Sequence, residues 1–282
     1  GFIGSNLVKA LVEEGNSVTV LDNFTSGYTD NLKSLNNVRI INGDIRNADI
    51  VAESMLGAEV VFHLAASVGN KRSIEHPFVD SEINVLGTLQ ILESAKEMKI
   101  KKIVVSSSAG IFGELKILPI KEDHPVEPDS PYGCSKLCEE KLCLAYSKLY
   151  DIETICLRYF NVYGPNQRYD AYGNVIPIFV YRTLNGLPIQ IFGDGEQTRD
   201  SVHVFDVVQA NLKAANVNGI SGAFNIASGT YISINELAKL VFQTANKEIE
   251  IEFLTERQGD VKHSLADISK ARSILNFTPN VD

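Results

Sequence analysis

Short apolar runs rich in β-branched residues alternate with longer stretches of helical period, and no other feature narrows the fold of this chain as far. SVTVLD, VRIING, AEVVFHLA, KKIVVSSS and IETICLRYF are such short apolar, β-branched runs. They therefore read as strands buried on both sides. Between them Ser5–Glu14 (closed by Gly15), Pro77–Met98 and Pro131–Tyr150 read as helices. Strands alternating with helices imply right-handed βαβ crossovers and a doubly wound parallel sheet, an α/β fold. Beyond residue 165 the rhythm loosens, and loops such as YGPNQRYDAYGN and NGLPIQIFGDGEQTRD separate shorter elements. The expected organisation is one α/β domain over 1–165, to which later segments return, and a smaller lobe over 166–282. That lobe would close over the carboxyl edge of the sheet, where open α/β sheets bind ligands.

Length and charge bound the function. With 282 residues, 44% of them hydrophobic, the chain can bury a large core. Its 26 Lys+Arg against 35 Asp+Glu give a net charge of −9, which disfavours a sequence-independent nucleic-acid binder. It leaves room for an anionic small molecule held by a few local arginines. No apolar run approaches the ~20 residues of a membrane span, so no membrane partner is expected. Three of the four cysteines (Cys134, Cys138 and Cys143) fall in one expected helix, with no histidine at zinc-ligand spacing. They read as reduced structural thiols of a cytoplasmic protein, with no metal site. His76, His124 and His263 read as loop histidines, Asp206 as a cap for the helix after VHVF, and Lys99–Lys102 as a solvated helix end.

The chain opens on GFIGSNL. Gly1 and Gly4 fit the last two glycines of a G-x-x-G-x-x-G turn, whose backbone approaches a pyrophosphate while the following helix directs its N–H groups there. A glycine pair beside a helix start is common, and alone it carries little. Asp22, at the end of the next strand, strengthens it, because an acidic residue there accepts hydrogen bonds from the adenosine ribose. A carboxylate at that place repels a 2′-phosphate, and no arginine stands in Asn23–Gly27, so NAD is expected rather than NADP. On this reading the first strand and first glycine of the turn precede Gly1 and are missing from the chain. The strands that would flank that strand are then left unpaired, and LNFTPNVD likewise reads as a clipped end.

A second constellation lies in SSSAGIFGE and PYGCSK. Tyr132 and Lys136 are i, i+4 on one helical face. A free tyrosine, with a pKa near 10, is a poor base at neutral pH, and an adjacent ammonium favours its phenolate. Tyr-x-x-x-Lys recurs by chance; its weight comes from lying on the helix after a strand that ends in hydroxyls. Ser108 is then placed to hydrogen-bond the reacting oxygen.

Taken with FHLAA, NVLGT, RYFNVYGP, GDGEQTRD and RQGD, these segments resemble the extended short-chain dehydrogenase/reductase family nearly end to end. The closest likeness is to its NAD-dependent nucleotide-sugar epimerases of the UDP-glucose and UDP-N-acetylglucosamine 4-epimerase type. The resemblance implies a Rossmann-like cofactor domain and a nucleotide-sugar lobe. It implies that Gly1, Phe2, Ile3 and Gly4 lie at the pyrophosphate and that Asp22, Asn23, Ser26 and Gly27 surround the adenosine ribose. Asp44 and Ile45 would frame the adenine, Leu64, Ala65 and Ala66 would line the cofactor's path, and Asn84 would brace it. Ser108, Tyr132 and Lys136 match the catalytic trio, Tyr132 and Lys136 also touching the cofactor and Phe160 packing near the nicotinamide. On the substrate side Asn161, Asn174, Val175, Gln190 and Phe192 match positions around the nucleotide. Arg199 and Arg257 match the arginines on the diphosphate, and Asp260 the uridine ribose. Arginine suits that role, since its planar fork binds phosphate oxygens bidentately.

The implied reaction is 4-epimerisation of a UDP-hexose through a transient 4-keto sugar, with NAD regenerated in each cycle. Family members that dehydrate or decarboxylate carry an acidic residue in the segment that here reads SSSAG, with no Asp or Glu before Glu114. That absence favours plain 4-epimerisation over a 4,6-dehydratase, a decarboxylase or a uronate epimerase. A non-catalytic dinucleotide-binding sensor or scaffold is the remaining alternative, disfavoured because Tyr132 and Lys136 are both present. Phe112 stands where many relatives have Tyr, and Ser201 where they have an aromatic ring. Ser264 matches the position that walls the pocket at the sugar's 2-substituent; being small, it predicts room for UDP-GlcNAc and UDP-GalNAc beside UDP-Glc and UDP-Gal, unless another side chain fills the space. The resemblance also suggests a homodimer, formed through the Pro77–Met98 and Pro131–Tyr150 helices.

Overall fold

The computed structural model describes residues 1–169, 174–256 and 261–281. All five expected strands form, as β1 (Val18–Asp22), β2 (Val38–Asn42), β3 (Val60–His63), β4 (Lys102–Ser108) and β5 (Glu153–Tyr159). Six helices lie among them: α1 (Phe2–Glu13), α2 (Ala48–Ser54), α3 (Asn70–Glu75), α4 (Pro77–Ser81), α5 (Thr88–Glu97) and α6 (Pro131–Leu149). The expected helix Pro77–Met98 is thus continuous but not uniform. A π-helical turn over Glu82–Gly87 joins α4 to α5, a widening of the kind that recurs at functional sites.

The second half adds β6 (Asn161–Tyr163), α7 (Val175–Leu184), β7 (Ile189–Phe192), β8 (Thr198–Arg199), β9 (Ser201–His203) and α8 (Val204–Asn216). It continues with β10 (Gly222–Ile226), β11 (Ile232–Ser233), α9 (Ile234–Ala245), β12 (Ile251–Leu254) and α10 (Ser269–Leu275). The main sheet has the order β10-β5-β4-β3 and is parallel throughout; β1 and β2 form a separate parallel ladder. No ladder joins β1 to β3 among the described residues.

Burial on both faces holds for β4 and β5, whereas β1 and β2 depart from that expectation: Thr19 of β1 and Arg39, Ile40 and Asn42 of β2 are exposed. Val104, Ile155 and Leu157 join one core cluster with Val207, Ala210 and Phe224, whereas Ile103, Val105 and Cys156 join another with Ile91, Leu92 and Cys143. Neighbouring residues of β4 therefore serve opposite layers, and each buried Val or Ile contributes about 1.5–3 kcal/mol. A smaller core of Phe179, Ile189, Ile191, Ile234 and Leu237 holds α7, β7 and α9 together. β10 and α8 return to the main sheet, β10 through pairing with β5.

Two expectations from the sequence are corrected. Lys102 is not solvated: it is buried at the start of β4, with Nζ on the Ala215 carbonyl and the Glu153 carboxylate, both at 3.1 Å. Asp206 does not cap α8. Its carboxylate accepts the backbone N–H groups of Asn280 (2.9 Å) and Val281 (3.1 Å), and the cap is His203, whose Nδ1 accepts from the Phe205 N–H.

Candidate active site

The site is built where β4 runs into α6. Ser130 caps the helix by accepting the Gly133 N–H at 3.1 Å, and Pro131 occupies its first turn. A Cβ on Gly133 would lie 2.4 Å from the Gly110 carbonyl oxygen and 2.8 Å from Pro128 Cβ. Glycine is therefore what lets α6 seat against the loop after β4. Ser108 Oγ and Tyr132 share the space over Gly110: a Cβ built there would meet the hydroxyl at 3.3 Å and Tyr132 Cε1 at 3.5 Å. Ser108 Oγ also accepts the Gly110 N–H at 3.1 Å, which fixes its position. The sequence predicts a Tyr132 pKa below the ordinary value. In the protein alone burial raises it instead, with Lys136 and Ser108 pulling the other way.

Lys136, one turn on, is 2% exposed. Its Nζ lies 2.6 Å from Oε2 of Glu139, itself buried. Burial alone would lower the ammonium's pKa, but Glu139 and Tyr132 raise it on balance; burial raises the Glu139 carboxyl, with Lys136 opposing. His63, at the end of β3, has Nε2 2.9 Å from Thr88 Oγ1 and 3.9 Å from Glu139 Oε1. The Thr88 hydroxyl donates to the Asn84 carbonyl at 2.6 Å, so it accepts from His63 and fixes the Nε2–H form. Burial, then Lys136, pushes the His63 pKa down to about 3.

Asn84, in the π-turn, is fully buried. Its Oδ1 accepts the Ser67 N–H at 2.8 Å, and its Nδ2 donates to the Ser67 carbonyl (3.0 Å) and Ser135 Oγ (2.9 Å). Ser135 donates in turn to buried Asp80, whose carboxyl is raised by burial. Asn84 thus ties the loop after β3 to the stretch of α6 between Tyr132 and Lys136. Sequence reasoning missed Asp80, Ser135, Glu139 and the buried ion pair Arg158–Glu140 (2.7 Å), which also accepts from Ser107. Only the acidic residues within an otherwise packed helix, Glu139 and Glu140, signalled it.

Of the residues assigned to the cofactor, Gly1, Asp22 and Gly27 meet at the start of α1, with Leu64 beside Gly4. A Cβ on Gly27 would lie 2.8 Å from the Gly1 nitrogen and 3.1 Å from Asp22 Oδ2. Cβ atoms on Gly1 would meet nothing within 4 Å, and on Gly4 only Leu64 Cδ1 at 3.8 Å. An open cradle beside a helix N-terminus with a carboxylate at its rim fits the pyrophosphate and ribose of NAD. Phe2 and Ile3 form the first turn of α1, and Ser26 lies in the loop after β1. Asn23 donates to Asp44 Oδ2 at 3.0 Å, while Arg46 grips both Asp44 oxygens and holds its pKa below the ordinary range. Leu64, Ala65 and Ala66 lie in the segment after β3, half-buried. Two side chains point into the core: Ile45 against the Gly87 backbone and Phe160 against Phe112.

On the substrate side Asn161 hydrogen-bonds the Asp200 carbonyl, Asn174 precedes α7, Val175 begins it, and Gln190 donates to Glu252 Oε2 at 3.0 Å. Phe192 ends β7, and Ser264 is buried. Arg199 donates to the Val261 carbonyl at 2.6 Å and lines a cavity of about 570 Å³ with Ser201, Tyr163 and apolar residues of α7 and α9. Arg257 and Asp260 lie outside the described residues. Phe112, without a hydroxyl, is fully buried beside His124 and under the Arg158 guanidinium. All four cysteines are free, no cluster of three metal-ligating side chains occurs among the described residues, and none of their helices is long and apolar enough to cross a membrane.

Comparison with known proteins agrees with this geometry. The model of the NAD dependent epimerase/dehydratase family matches residues 1–227. The UDP-glucose 4-epimerase of Mycolicibacterium smegmatis is 37% identical over 286 residues, covering 100% of this chain and 91% of that protein. The crystal structure of UDP-glucose 4-epimerase with UDP-glucose from Thermotoga maritima superposes with a TM-score of 0.96 at 37% identity, covering 100% of this chain and 92% of that one. The UDP-N-acetylglucosamine 4-epimerase of Methanobrevibacter ruminantium, in complex with UDP-N-acetylmuramic acid, gives a TM-score of 0.96 at 37% identity, with 100% and 91% covered.

Proposed function

Because the chain belongs to the NAD dependent epimerase/dehydratase family, we propose that it interconverts UDP-hexoses at carbon 4, through a transient 4-keto sugar. The observation that carries this is the meeting of Ser108 Oγ and the Tyr132 ring over Gly110, with Lys136 one turn along α6. Ser108 orients the sugar's 4-hydroxyl, and Tyr132 takes its proton and later returns one. Lys136 supplies the positive charge that makes the phenol a base. NAD⁺, when bound, would supply the hydride acceptor and donor for carbon 4 and a positive charge that favours the phenolate. Gly1–Gly4 and Asp22 hold its pyrophosphate and ribose, with Asn84 bracing the wall. No carboxylate stands between Ser106 and Gly113, so the loop offers no extra acid or base for loss of water or of carbon dioxide. Incubation with UDP-glucose and no added reductant should give UDP-galactose with its 6-hydroxymethyl group intact by NMR. A product altered at carbon 6 would refute the assignment.

The lobe built on α7, β7 and α9 takes the nucleotide, with Arg199 and Arg257 on the diphosphate, Asp260 at the uridine ribose and Asn161, Asn174, Val175, Gln190 and Phe192 around it. Residues 1–165 form the cofactor domain. Small Ser264 admits a 2-acetamido group, so UDP-GlcNAc is a substrate beside UDP-Glc. The chain acts in the cytoplasm, consistent with its free thiols, as a homodimer. Phe78 is 84% exposed on α4, Leu86 56% in the π-turn and Leu149 70% on α6, an apolar exposure that pairing of these helices would cover. Sedimentation of Phe78→Glu as a dimer would count against that face.

A further inference from the structure

We propose that Glu139 is a positioning residue whose buried charge, acting through Lys136, restrains how readily Tyr132 gives up its proton. The inference rests on the reading of Tyr132 as the base, and nothing in that reading requires an acid at residue 139.

The geometry is specific. Lys136 and Glu139 are i, i+3 on α6, both nearly without solvent, with Nζ and Oε2 at 2.6 Å. Tyr132 is i−4 from Lys136, so a single ammonium lies within electrostatic reach of both the phenol and the carboxylate. The other charged and titratable groups around this pair are engaged elsewhere. Glu140 is held in a fork by Arg158, with Nε and Nη2 at 2.9 and 2.7 Å. Asp80, from α4, is hydrogen-bonded to Ser135 and Asn84, though its charge also bears on Lys136 and, less than that of Glu139, on Tyr132. His63, from β3, is kept neutral by burial and by Lys136, with its ring nitrogen on Thr88 of α5 and 3.9 Å from Glu139 Oε1. The thiols of Cys143, further along α6, and Cys156, on β5, are buried and free. Among the described residues, Glu139 is thus the one carboxylate placed directly on Lys136.

A purely stabilising ion pair is a poor description of this arrangement. Glu139 Oε1 has no hydrogen-bond partner among the described residues, and neither has the nearby His63 Nδ1. Buried pairs with lone pairs left unmet are often no better for stability than apolar residues of the same size. What the pair does is take part of the ammonium's field away from the phenol, while Tyr132 independently favours the charged form of Lys136.

The test replaces the charge and keeps the shape. In Glu139→Gln the acid limb of kcat/KM should move about one pH unit toward acid, because the unopposed ammonium favours the phenolate. The same displacement should appear in the ultraviolet difference titration of Tyr132, read as each protein minus its Tyr132→Phe counterpart. Glu139→Leu, apolar and similar in size, should move both readouts in the same direction. A limb and a titration that stay at the wild-type pH in whichever variant folds overturn the proposal, whether or not kcat falls. The titration needs no turnover. A wild-type protein that fails to epimerise would therefore sink the functional reading, while the Tyr132 titration would still decide whether Glu139 restrains the phenol.

Discussion

Tyr132 carries two opposing influences that only the folded chain makes visible. The sequence supplies Lys136 one turn away, which favours the phenolate; the fold buries the ring, which disfavours it, and burial wins in the protein alone. Tyr132→Phe keeps the ring's packing and removes the proton carrier. It should cost about 10²–10⁴-fold in kcat while leaving NAD affinity near the wild-type value; near-full turnover would remove Tyr132 from the mechanism. His63 bears on stability rather than turnover. Its folded pKa, about 3, lies below the unfolded value of 6.5. The unfolded chain therefore binds the extra proton, and stability is lost as pH falls from about 6.5 toward 3. His63→Gln keeps the donor to Thr88 and cannot titrate. Between pH 6.5 and 5 the wild type should lose about 1.5 kcal/mol relative to that variant in denaturant titrations; parallel losses would contradict the assignment. Residue types at fixed spacing are what pointed to Ser108, Tyr132, Lys136 and Asp22 as site candidates in the sequence. Asp80 and His63 did not stand out there, because their roles come from partners brought close only by tertiary packing, Ser135 and Thr88.

At the scale of elements, the seating of α6 on the loop after β4 decides whether Ser108 and Tyr132 face one another. Gly133 is the contact point, with the Gly110 carbonyl where a side chain would be. Gly133→Ala should push the first turn of α6 outward, costing about 1–3 kcal/mol of stability and a larger share of kcat than of substrate affinity. Equal stability and full kcat would show that the seating has slack. The strands were legible because burial on both faces demands continuous apolar runs, and β4 and β5 obey it residue by residue. The π-turn was not, since Glu82–Gly87 has ordinary helical composition and the widening shows itself only through where Asn84 points. The helix cap of α8 was misread for a related reason. Asp206 is engaged by Asn280 and Val281, 74 and 75 residues away in sequence.

For the molecule as a whole, epimerisation requires one sheet edge to present the base, the cofactor cradle and the nucleotide lobe to the same sugar carbon. Alternation of strand and helix made the sheet and its ligand edge readable from sequence. The second lobe was read only in outline, because its short strands β8, β9 and β11 pair through loops with no period of their own. On the proposed mechanism Tyr132 takes and returns only the hydroxyl proton, while the hydrogen on carbon 4 would leave to NAD as hydride and come back from it, with no exchange with water. UDP-glucose deuterated at carbon 4, converted by the full chain in ordinary water, tests it most directly. The expected product is UDP-galactose that keeps its deuterium on carbon 4. Deuterium lost to water, or solvent hydrogen newly placed at a neighbouring carbon, would contradict it.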